Sequence, residues 1–103
     1  MVNENLIRIM IVNAHPGILA TVERLIDKKD HWVAVPASNI TDVKQLLTGD
    51  IAVVLLGSGF SEAEEQEIAG YVNGFDSAAK IVYHYGGGSG LLYTEIAEAL
   101  RYR

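Results

Sequence analysis

An aliphatic hexamer that stops abruptly in a polar turn sets the terms for this chain. It reads Ile7-Arg8-Ile9-Met10-Ile11-Val12, short, β-branched and apolar at nearly every position. A strand with one wet face alternates apolar and polar side chains. One that is apolar at successive positions is buried on both faces, as in a parallel sheet with helices on either side. The run ends in Asn13-Ala14-His15-Pro16-Gly17, and a helical pattern starts at once. A buried strand, a polar loop and a helix form the first half of a βαβ unit. Open α/β sheets bind ligands at the carboxyl ends of their strands, so residues 13–17 bear most directly on function.

The pattern then repeats. Ile18, Leu19, Val22, Leu25 and Ile26 make one apolar stripe over a helix from Gly17 to Lys29. Pro16 suits its first turn, where a missing N–H costs nothing. Lys28 and Lys29 suit the negative end of its dipole. Trp32-Val33-Ala34-Val35-Pro36 is a second strand, and its proline points to an edge or a strand end. Ser38 to Thr48 is a second helix with Ile40, Val43, Leu46 and Leu47 inward, Asn39 or Thr41 as cap and Gly49 just past its end. Ile51 to Leu56 is a third strand, apolar on both faces and so central.

Ser61-Glu62-Ala63-Glu64 has the capping-box spacing and opens a third helix bearing Ile68, Tyr71, Val72 and Phe75, with Gly74 at its end. Cap and dipole explain Glu62, Glu64 and Glu65 in its first turn without a metal site. Lys80 to Tyr85 is a fourth strand, Gly86-Gly87-Gly88-Ser89-Gly90 a loop, and Leu91 to Arg101 a last helix with Leu92, Ile96, Ala99 and Leu100 on one face. Four strands alternating with four helices predict one α/β domain over residues 1–103. With right-handed crossovers it is a flavodoxin-like three-layer sandwich, its parallel sheet ordered 2-1-3-4.

Composition narrows the function classes. The 103 residues include no cysteine, which removes disulfides and thiolate chemistry and suits a reducing cytoplasm. A net charge of −5 without a basic cluster argues against nucleic acid. No apolar run approaches the roughly 20 residues that span a membrane, and Met1-Val2-Asn3-Glu4-Asn5 lacks the basic start of a signal peptide.

Ile7-Arg8-Ile9-Met10-Ile11-Val12 followed by Asn13-Ala14-His15-Pro16 resembles the start of receiver domains of two-component response regulators, closest to those attached to transcription factors. Asp50-Ile51-Ala52-Val53-Val54-Leu55-Leu56 is similar to the strand that ends in their phosphorylated aspartate. The resemblance covers residues 7 to about 85 and fades after 60. It implies the same fold, but its chemistry does not carry over. The magnesium-holding acidic pair falls on Asn13 and Ala14, the phospho-acceptor within Leu55 to Gly57, and the hydroxyl residue on His84 or Tyr85. The fifth strand with its lysine has no counterpart, and Lys80 starts the fourth strand at the other end of the sheet. The resemblance therefore implies a degenerate, truncated pseudo-receiver: a non-phosphorylatable interaction module for an unidentified signalling protein, with no enzymatic activity. His15-Pro16-Gly17, with glycine-rich ends to strands three and four, is also faintly similar to cobalamin-binding domains, whose aspartate falls on Asn13.

The residues suggest a second reading, a binder of a phosphate-bearing molecule or a cobalamin-like cofactor. Gly87, Gly88, Ser89 and Gly90 could present successive N–H groups to an anion, with Asn13, His15 and Ser58 beside them. No lysine follows, so the loop is not a P-loop, and a flexible turn explains the glycines equally. His15 and His84 fall near the carboxyl edge and His31 at the opposite one, so the three do not share a metal site. No Ser/His/Asp order or nucleophile elbow is present. The fourth strand would be an uncharged apolar edge, which invites pairing. Ile81, Tyr83, Tyr85, Leu91 and Tyr93 are the expected interface of a symmetric homodimer.

Overall fold

In the computed structural model the described residues are 6–75, 79–84 and 89–101. The elements are β1 (Ile7–Val12), α1 (Pro16–Asp27), β2 (Trp32–Ala37), α2 (Ile40–Leu46), β3 (Ile51–Leu56), α3 (Glu62–Gly74), β4 (Lys80–Tyr83) and α4 (Ser89–Arg101). The four strands form one all-parallel sheet in the order β2-β1-β3-β4, a doubly wound, flavodoxin-like architecture. The two strands that are apolar at successive positions, β1 and β3, are the central ones.

Each face of the sheet carries two helices. Met10, Val12, Val54 and Leu56 pack with Val43 and Leu47 of the α2 segment and with Ile68 and Val72 of α3. Ile9, Ile11, Val53 and Leu55 pack with Val22 and Ile26 of α1 and with Leu92, Ile96 and Ala99 of α4. The last helix thus returns across the face of α1 and lies over β3 and β4. One irregularity adjusts the register. Arg8 pairs with Ile51 but Ile9 with Val53, so β3 carries an extra residue. Alternation breaks there, and Ala52 and Val53 both face α1 and α4.

Several boundaries differ from the sequence reading, each for a local reason. The second helix begins at Ile40, not Ser38, because Asn39 caps it by accepting the Asp42 N–H at 2.8 Å, while the Ser38 N–H and hydroxyl both donate to Asp42 Oδ2 at 3.0 Å. It ends at Leu46 because Leu47 turns extended and drops into the core, so Gly49 is no helix terminator. Leu46 and Ile18, both assigned to apolar stripes, are exposed. A seven-residue helix turns only one narrow stripe inward, and Ile18 lies in the first turn of α1, ahead of Leu19, Val22 and Ile26. Helix α1 ends at Asp27, before Lys28 and Lys29. Strand β4 stops at Tyr83 because its partner stops at Leu56. The capping box at Ser61 and Glu64 and the edge position of Pro36 are as the sequence reads.

Candidate functional site

The chain leaves β1 towards β2 and leaves β3 towards β4, so the winding reverses between the two central strands. Ligands of doubly wound sheets sit at the carboxyl side of that switch. The switch is flanked by Asn13, Ala14 and His15 after β1 and by Gly57, Ser58 and Gly59 after β3.

Asn13 is only 5% exposed, the one buried polar side chain among the described residues. Its Oδ1 accepts the His15 N–H at 2.8 Å, which turns Nδ2 towards Gly57. A methyl group at residue 57 would collide with that Nδ2 and stand 3.2 Å from Asn13 Cγ and 3.3 Å from the Val12 carbonyl oxygen. The Asn13 amide therefore occupies the space a side chain at 57 would need. The backbone joins the two loops further: Gly57 N–H donates to Val12 O at 2.7 Å, Ala14 N–H to Ser58 O at 3.4 Å, and Asn13 N–H to Ala37 O at 3.1 Å. Gly59 has φ +97°, and a methyl there would be 2.7 Å from Ala14 Cβ and 3.0 Å from His15 Nε2. Only glycine allows both that backbone and that approach.

His15 is the extended N-cap residue of α1, exposed and without a side-chain cap bond. Ser58 is half-buried on the facing loop. Asn13, His15 and Ser58 are thus brought together. Of the expected anion loop, Gly87 and Gly88 lie outside the described residues, and Ser89 and Gly90 are the first residues of α4 rather than a turn. The expected interface residues do not share a face. Ile81 packs with the α2–α3 core, whereas Leu91 and Tyr93 belong to α4 on the other side. Tyr83 is 47% and Leu91 49% exposed. Tyr93 turns inward: its hydroxyl donates to Leu25 O at 2.8 Å, its ring meets Trp32 edge-on, and Lys29 Nζ stands 4.4 Å from its centroid. Tyr85 lies outside the described residues.

One pair went unseen in the sequence. His84, just past β4, donates its backbone N–H to Leu56 O at 2.9 Å, and its Nδ1 lies 2.5 Å from Glu95 Oε1 on α4. The available signal was Glu95 beside Ile96, at the margin of the apolar stripe of α4, where a side chain can reach the end of the strand beneath. Among the described residues no three His, Asp or Glu side chains gather as metal ligands.

At the opposite edge, Asp50 forms an ion pair with Arg8, Nε to Oδ2 3.5 Å, without a hydrogen bond to that Nε. The Thr48 hydroxyl, and behind it the Arg8 guanidinium, hold the Asp50 carboxyl below the ordinary aspartate range. Six strand residues separate it from the switch.

The carboxyl edge can donate hydrogen bonds and present imidazoles. The residues ending β1 and β3, Val12-Asn13-Ala14 and Leu56-Gly57, place no carboxylate there. No helix among the described residues is long and apolar enough to cross a membrane. No family model, no curated protein and no solved structure matches the chain.

Proposed function

We propose that the chain is a receiver-like interaction module in signalling that takes no phosphoryl group on a carboxylate. The observation that carries this reading is the packing of Asn13 against Gly57. Acyl phosphate chemistry at this edge needs an aspartate nucleophile on one central strand and carboxylates on the other to hold a divalent ion. Here an amide takes the acid's place just after β1, and that amide fills the space a side chain at residue 57, just after β3, would occupy. The resemblance puts the acceptor within Leu55 to Gly57, and an acceptor at 57 would collide with Asn13. The doubly wound sheet supports the same reading, since it is the scaffold that the resemblance of residues 7 to about 85 implies.

Such a module works by contact. Exposed Tyr83 on the edge strand and Leu91 at the start of α4 support self-association through β4 and α4. Beryllofluoride with magnesium, which mimics an aspartyl phosphate, tests the reading by amide NMR. The expected result is no shift at Asn13, Ala14, Gly57 or Ser58. Saturable shifts at these residues would overturn it.

A further inference from the structure

We propose that His84 is a phosphoryl-accepting histidine, its Nε2 the nucleophile and Glu95 the residue that positions it. His84 Nδ1 lies 2.5 Å from Glu95 Oε1. Carboxylate oxygen only accepts, so in the neutral ring the proton sits on Nδ1 and the lone pair is on Nε2. A carboxylate holding one imidazole nitrogen so that the other can act is the arrangement that orients histidine bases and metal-bound histidines. Both partners are held to the sheet. The His84 backbone N–H is bonded to Leu56 O at the end of β3, and Glu95 stands on α4, which is fixed to the sheet by buried Leu92 and Ile96. His84 also stands at the carboxyl end of its strand, the edge at which α/β sheets present their reactive groups. His15 is exposed, and His31 lies at the other end of the sheet.

The Nε2 lone pair attacks the phosphorus of a phosphoramidate protonated on its nitrogen, the N–P bond forms as the donor's P–N bond breaks, and neutral ammonia leaves with the electron pair of that bond and the proton it already carried. The Nδ1 proton stays in the bond to Glu95, whose negative charge offsets the positive charge the ring acquires. The His84 side chain is only 11% exposed, which selects for a small donor.

The proposal goes beyond the interaction-module reading and does not depend on it. That reading concerns carboxylates, and phosphate on nitrogen differs from acyl phosphate in being stable to base and labile to acid. The experiment treats the whole protein with potassium phosphoramidate and follows intact mass. The expected result is a gain of one phosphoryl group, base-stable and acid-labile, mapped by fragmentation to His84. Glu95→Gln should slow the gain roughly tenfold, with the far-UV spectrum unchanged, and His84→Gln should abolish it. No gain in the wild-type protein, while a histidine-containing peptide in the same tube is phosphorylated, would overturn the proposal. So would a phosphoryl group mapped to His15 or His31, or an unchanged rate in Glu95→Gln. A base-labile group mapped to a carboxylate would overturn the interaction-module reading instead.

Discussion

At the residue scale the carboxyl edge is defined by what Asn13 and Gly57 do to each other. Gly57→Ala should cost about 1–3 kcal/mol, the usual range for forcing a methyl into filled space. Asn13→Ala removes the obstructing amide as well as the bond to the His15 N–H. In that background Gly57→Ala should cost measurably less. Denaturant melts of the four proteins give the coupling, and strictly additive costs would mean the two side chains do not compete. His31 offers a second test. It has φ +73°, the only positive φ outside glycine among the described residues. Replacing it by alanine and by glycine removes the same side-chain contacts from both variants, so their difference isolates the backbone. The glycine variant should be the more stable by about 1 kcal/mol. Equal melting curves would mean that the loop relaxes to negative φ in the alanine variant.

At the scale of elements, α4 is held to the fold by more than its apolar stripe. On the α1 side, Tyr93 reaches Leu25 O and packs on Trp32; on the β4 side, Glu95 meets His84. Tyr93→Phe should cost about 0.5–1.5 kcal/mol, the net worth of one hydrogen bond. Hydrogen exchange should quicken in α4 before it does in β3; equal protection in both proteins would show that the hydroxyl contributes nothing. The turn before β3 gives a pH prediction. Asp50 has a depressed pKa in the folded state, chiefly through Thr48. Its contribution is therefore present above the ordinary aspartate value and is lost as pH falls through the lowered one. The stability difference between wild type and Asp50→Asn should shrink over that acid window and stay flat at neutral pH; a difference that grows on acidification would contradict the assignment.

These elements show what was legible in the sequence. Strands buried on both faces announce themselves, because β1 and β3 need no partner information to read as central. The capping box at Ser61 and the edge proline at 36 are local chemistry and were equally plain. Contacts that join distant elements leave no period behind. Glu95 meeting His84 depends on α4 folding back over the face of α1. The exposure of Ile18 and Leu46 depends on where each helix stops against the sheet. Asn13 was visible as a missing acid, but its packing on Gly57 was not, since it requires two loops 44 positions apart to meet.

At the scale of the molecule, the two sheet edges are treated differently. On β2, Asp27 of α1 accepts the Ala34 N–H at 3.1 Å, and Pro36 removes another donor, so this edge is blunted. On β4 the edge is a short strand that ends in exposed Tyr83, and Leu91 is exposed at the start of α4. Light scattering over a concentration series should show a dimer that Leu91→Glu weakens; a monomer throughout would remove self-association from the account.

The central claim, a receiver-like scaffold without receiver chemistry, has a more direct test: intact mass after incubation with acetyl phosphate and magnesium. The account predicts no phosphoryl group on any carboxylate, because the ends of β1 and β3 carry Asn13 and Gly57 in mutual contact. A gain of one phosphoryl group, labile to hydroxylamine and mapped to an aspartate or glutamate, would contradict it, and Glu62 in the first turn of α3 would be the first residue to examine.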